Sequence, residues 1–133
     1  MEDRIDPSLA ATILTLPGAA SSEAGTVWGA IRATAGTIPG TEVPATFQLQ
    51  LGERTLWANA NATEHMGEYI ARLGNEASAG IRSQEILSGF RAAVSDAMSA
   101  IGSGAPGRYF GTYGGWELGI NTETGVIYHA LMQ

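Results

Sequence analysis

Two histidines, His65 and His129, are the side chains best suited to moving protons near neutral pH. One imidazole can remove a proton while the other donates one, which is what metal-free cleavage of RNA requires. The 2′-hydroxyl is deprotonated and attacks the adjacent phosphate, and the departing 5′-oxygen is reprotonated. A cation must then meet the charge that builds on the phosphorane, and the planar fork of arginine suits that task. Arg72 follows His65 by seven residues, so on a helix the two share nearly one azimuth, with Tyr69 beside them. Thr112, Tyr113 and Thr124 add hydroxyls from the C-terminal third. The expected catalytic set is therefore His65, His129, Arg72, Tyr69, Tyr113 and Thr124. The competing expectation is that each histidine is merely structural.

Composition narrows the other chemistries. The chain has no cysteine, which removes disulfides, thiolate nucleophiles and zinc–thiolate sites together. Two histidines cannot build a histidine-rich metal centre, and no D-x-D-x-D-G loop offers a calcium site. The expectation is no metal and no cofactor. Net charge is −6, and all seven basic residues are arginine. Non-specific coating of nucleic acid is thereby disfavoured, although a local arginine can still serve a compact cleavage site. Two acids precede the first apolar stretch, against a signal peptide, and "LAATILTL" is too short to span a bilayer.

"GSGAPG" satisfies G-x-G-x-x-G but follows a helix and precedes a strand, the reverse of the dinucleotide context, and reads as a loop. Asn61-Ala62-Thr63 matches a glycosylation sequon by chance.

Positioning these residues falls to a small set of elements. Residues 1–40 are rich in Ala, Gly, Ser and Thr and form an N-terminal helical or linker appendage, in which "LAATILTL" reads as a short buried helix. A second helix is capped by Ser22, runs through Val27, Trp28 and Ile31, and ends by Gly36; "TIPGTEVP" then serves as a linker. Residues 41–133 form the compact unit. Within it Phe47, Leu49 and Leu51 alternate with glutamines, giving a strand that turns at Gly52-Glu53, so that Leu51 faces Arg54 and Leu49 faces Leu56. Asn61, with Glu64 three residues on, predicts a capped helix whose apolar stripe is Ala62, Met66, Tyr69, Ile70 and Leu73. After a loop over 74–82, Ser83 caps a helix with Ile86, Phe90, Val94, Met98 and Ile101 at buried spacing.

Three antiparallel strands follow at 108–113, 116–121 and 126–132. A three-residue turn with Gly125 left-handed pairs Thr122 with Val126, Ile120 with Tyr128 and Gly119 with His129. Trp116, Leu118, Ile120, Tyr128 and Ala130 then share the helix-covered face. His129 points the other way with Glu117, Asn121, Ile127 and Leu131. The expected fold is α+β: an antiparallel sheet, made of the early hairpin plus three C-terminal strands, packed against two or three helices.

"IPGTEVPATFQL", "LWANANATEHMGEYI", "ILSGFRAAVSDAM", "GGWELGIN" and "VIYHAL" together resemble the C-terminal toxin domains of bacterial polymorphic toxins, over roughly residues 37–133. Such modules end RHS-repeat, contact-dependent inhibition and type VII-secreted effectors. Many resemble the barnase–EndoU–colicin–RelE group of metal-independent ribonucleases. The resemblance implies an antibacterial endoribonuclease, with His65 and His129 as the positions carried over and RNA, tRNA included, as substrate. It also implies a cognate immunity protein, an upstream carrier, no membrane partner, and action in the cytoplasm of the target cell after secretion. The alternatives from other classes are a non-enzymatic acidic binding module, such as an immunity protein, and a toxin of different chemistry, such as ADP-ribosyl transfer.

Overall fold

The computed structural model describes residues 4, 5, 7, 8 and 26–133. The chain forms two compact units, Met1–Arg32 and Ala33–Gln133. In the first, the two-residue strands β1 (Arg4–Ile5) and β2 (Pro7–Ser8) pair in parallel. Ser22 and the "LAATILTL" helix lie outside the described residues. The rest of the expected 22–36 helix is corrected: Val27–Ala30 is one 3-10 turn, followed by strand β3 (Ile31–Ala33). Gly29 weakens a helix at that point, and β-branched Ile31 and Thr34 favour extension.

"TIPGTEVP" is a tied hairpin turn. Ile38 N–H donates to the Val43 carbonyl at 2.8 Å, and Thr41 Oγ1 both donates to Ile38 O and accepts from Val43 N–H. Val43 is fully buried, so the segment is anchored by its own side chain.

The main sheet has six strands in the order β3-β4-β5-β8-β7-β6. The early hairpin is β4 (Phe47–Leu51) with β5 (Arg54–Ala58), and its register pairs Leu51 with Arg54 and Leu49 with Leu56, as the alternation predicts. Three strands close the chain: β6 (Arg108–Tyr113), β7 (Trp116–Asn121) and β8 (Val126–Met132). All pairings within these two groups are antiparallel. The groups meet through a short parallel junction, Trp57 with Val126 and Ala58 with Ile127, which makes the sheet mixed.

One face of the sheet is covered by helices α1 (Ala60–Thr63), α2 (Met66–Arg72) and α3 (Ala79–Ile101). Their start signals differ from those expected. Asn59, not Asn61, caps α1, its Oδ1 accepting from the N–H groups of Asn61 and Ala62. Ser78, not Ser83, caps α3; Ser83 is fully buried and its Oγ accepts from Glu42 N–H at 2.9 Å. Tertiary burial claimed the serine that local pattern offered to the cap. The first helix also breaks, because His65 (φ −101°, ψ 1°) leaves helical geometry between α1 and α2.

Core rings meet edge to face, as aromatic quadrupoles prefer. Phe90 stands 6.1 Å from Phe47 and 5.6 Å from Trp116, and Tyr69 stands 5.8 Å from Trp116. Ala62, Met66, Tyr69 and Ile70 are buried as the stripe predicts, while Leu73 is exposed just beyond α2. On α3, Ile86, Phe90 and Val94 are buried together with Leu87, Ala93 and Ala97, and Met98 and Ile101 are only partly covered.

The last hairpin carries a correction that matters for the site. Its turn has four residues, so Asn121 pairs with Val126 and Ile120 with Ile127; a bulge at Tyr128 then restores the pair Gly119–His129. Ile127 consequently enters the core, fully buried, and Tyr128 leaves it.

Candidate functional site: the open face of the sheet

Strand alternation decides which side chains the helices cover. Trp116, Leu118 and Ile120 of β7 point to the core, so Glu117, Gly119 and Asn121 point away from it. Register brings Arg108, Phe110 and Thr112 of β6 beside Asn121, Gly119 and Glu117 respectively. On the other side His129 lies beside Gly119 and Leu131 beside Glu117. The bulge adds Tyr128 to this same open face.

Glu117 and His129 form the centre. His129 Nε2 lies 3.1 Å from Glu117 Oε1, and each side chain is about one-third exposed, 34% and 33%. Gly119 stands between their strands without a side chain. An added Cβ there would lie 2.6 Å from Tyr128 Cε1 and 2.7 Å from its Cζ, so the tyrosine ring occupies the space directly above the glycine. Phe110 flanks the other side, its ring centroid 5.0 Å from that of His129 with the planes 31° apart. The Arg108 guanidinium carbon sits 5.4 Å from the Tyr128 ring centroid, within cation–π range. A carboxylate, an imidazole, a guanidinium and a hydroxyl (Thr112) are thus gathered on one open surface. They can exchange a proton with a bound ester and place positive charge near it.

The sequence-derived candidates divide between this surface and other places. His129 is at the centre. His65 and Arg72 flank Glu68 in the helical layer, His65 Nδ1 at 3.1 Å from Oε2 and Arg72 Nη2 at 3.9 Å from Oε1. Tyr69 is buried beside them; its Oη accepts from Met132 N–H at 3.1 Å and its ring packs on Trp116. Because Trp116 alternates with Glu117, α2 covers the face opposite His129, and His65 and His129 are not brought together. Tyr113 pairs with Trp116 on the helix-covered side, and its ring packs over Gly111. Thr124 lies in the β7–β8 turn, where its N–H donates to Asn121 Oδ1.

Glu117, Phe110, Arg108 and Tyr128 belong to the open face but not to the sequence-derived set. Glu117 was legible as a neighbour of His129 from alternation alone. Tyr128 was not, because its position depends on the bulge.

Among the described residues no cluster of three or more histidine, aspartate or glutamate side chains could hold a metal ion. No described helix is long and apolar enough to cross a membrane. Comparison with protein-family models and with curated proteins finds no match for this chain.

Proposed function

We propose that the open face is the active site of a metal-independent ribonuclease, acting as the toxin domain of an antibacterial effector. The observation that carries the reading is the Glu117–His129 pair on a sheet face that the helices leave uncovered. In the proposed reaction Glu117 accepts the proton of the 2′-hydroxyl, the freed oxygen attacks phosphorus, and the P–O5′ bond breaks. His129, as imidazolium, protonates the departing 5′-oxygen, so the products are a 2′,3′-cyclic phosphate and a free 5′-hydroxyl. A phosphate entering between the two groups replaces their mutual hydrogen bond, with base and acid on its two sides. Arg108 approaches the phosphorane oxygens from the neighbouring strand. This pairing takes the place of the two-histidine scheme.

The test is cleavage of an unstructured RNA in the presence of a chelator, with the cyclic phosphate as readout. Glu117→Gln and His129→Gln are each expected to lower kcat by about 10²–10⁴-fold. His65→Ala and Arg72→Ala should leave the rate unchanged, and expression without an immunity partner should arrest growth. Undiminished cleavage by the Glu117→Gln/His129→Gln double variant refutes the mechanism. A second reading, an acidic protein-binding module such as an immunity protein, is favoured by the net charge of −6 together with the exposed rings of Phe110 and Trp57. Harmless expression and tight binding to a toxin would select it.

A further inference from the structure

The open-face rings are arranged unlike those of the core. The core pairs meet edge to face, at 83°, 88° and 67°, whereas Phe110 and His129 lie 31° from parallel. The tilted pair covers one side of each ring and leaves the outer face of Phe110 available. Phe110 is 59% exposed although it sits in a regular strand, so most of its ring contacts solvent. Gly119, with no Cβ, leaves room for the Tyr128 ring directly above it, and the Arg108 guanidinium lies over that ring 5.4 Å from its centroid. Among the described residues only one arginine, Arg108, stands on this part of the face, in a chain of net charge −6. Phosphate neutralisation is therefore a poor source of affinity here, and flat apolar rings are the available one.

We infer that Phe110 and Tyr128 form a stacking platform for unpaired nucleobases, so that the substrate is single-stranded RNA held by its bases more than by its phosphates. The inference rests on reading the open face as a nucleic-acid site. It makes double-stranded RNA a poor ligand, because paired bases have no free face to present. It also makes binding nearly insensitive to salt. With one phosphate contact, the slope of log K against log salt is about −0.7, whereas a site making six contacts gives about −4.

The experiment uses the whole chain and a fluorescein-labelled 2′-O-methyl hexanucleotide. The probe cannot be cleaved by a 2′-hydroxyl mechanism, so binding is read independently of catalysis. Expected results are binding of the single strand, at least tenfold weaker binding of its duplex, and a salt slope shallower than about −1.5. Phe110→Leu, which keeps an apolar residue at an exposed position, should weaken binding roughly tenfold with an unchanged melting temperature. Equal affinity for duplex and single strand, a steep salt slope, or undiminished binding by Phe110→Leu overturns the platform. Binding that follows these rules without any RNA cleavage refutes the ribonuclease reading and leaves the platform standing. Cleavage with Phe110→Leu unaltered in KM refutes the platform and leaves the ribonuclease standing.

Discussion

Two glycine-to-alanine substitutions should move stability in opposite directions, and the sign of each follows from what a new Cβ meets. At Gly89, inside α3, the nearest neighbour is Trp116 Nε1 at 3.6 Å, an ordinary separation. Alanine there removes the helix penalty of glycine, about 0.8–1 kcal/mol, without a clash. At Gly119 the new Cβ would lie 2.6 Å from Tyr128 Cε1 and 3.1 Å from His129 Cβ. Gly119 is not among the glycines with positive φ, so its backbone accepts alanine and only the contact opposes it. The tyrosine ring must withdraw by about 0.8 Å to regain an ordinary separation, and over-packing of this kind costs about 1–3 kcal/mol. Tyr128 is half-buried and can swing outward, which favours the low end of that range. The entropic gain of replacing glycine returns about 0.5 kcal/mol.

The expected net effects are about 0.5–1 kcal/mol destabilising for Gly119→Ala and slightly under 1 kcal/mol stabilising for Gly89→Ala. In a domain of this size each is a shift of roughly 4 °C, in opposite directions, in a calorimetric or circular-dichroism melt. The decisive measurement is the cycle with Tyr128→Ala. If the ring is the obstacle, Gly119→Ala becomes neutral or stabilising once the ring is gone, giving a coupling energy of about 1–2 kcal/mol. The same cost in both backgrounds would show that something other than the Tyr128 ring opposes a Cβ, and the description of the open face would be wrong.

Tyr69→Phe deletes the acceptor for Met132 N–H and should cost about 1 kcal/mol in urea unfolding, while RNA cleavage stays unchanged; a large loss of kcat at full stability would return Tyr69 to the catalytic set. Asn59→Ala should cost about 1 kcal/mol as a lost cap, and Asn61→Ala less than about 0.5 kcal/mol; the reverse order would contradict the observed cap. Ser83→Ala leaves Glu42 N–H without its partner at a site where the side chain is fully buried, and should cost about 1–2 kcal/mol, at least as much as Ser78→Ala, in the same unfolding assay.

The strands from β4 onward were legible because alternation and turn chemistry are local, whereas β3 fell within the expected helix. Phe47, Leu49 and Leu51 specify a face, and "LGER" specifies the turn between β4 and β5. Helix caps were less legible, since Asn59 and Asn61, or Ser78 and Ser83, are equivalent to any local rule. Tertiary structure separates them: Glu42 N–H, forty-one residues away, takes Ser83. The helical candidates lie apart from His129 for a related reason. Seven-residue spacing placed His65 and Arg72 on one helical edge, and both do gather at Glu68. Which side of the sheet that helix covers is a matter of handedness and packing, and no spacing within the helix encodes it.

The pair Gly119–His129 shows how a correct contact can be reached by a different path. A three-residue turn closing on Thr122 and Val126 brings Gly119 opposite His129 with no further irregularity. The observed turn is one residue longer, which by itself would put Gly119 opposite Tyr128 and invert the last half of β8. The bulge absorbs the extra residue, and the register returns to the same pair. Between turn and bulge, however, the faces are exchanged: Ile127 fills the core where Tyr128 was expected, and Tyr128 joins His129 outside. Burial supplies the reason, because Ile127 is wholly apolar whereas Tyr128 carries a hydroxyl that needs a partner or water. The energetic gain is made in the core, and its consequence is a ring, an imidazole and a carboxylate side by side on the open face. A deletion that regularised β8 would take Tyr128 off the open face yet leave His129 opposite Gly119, so the bulge supplies the ring while strand alternation alone supplies the Glu117–His129 pair.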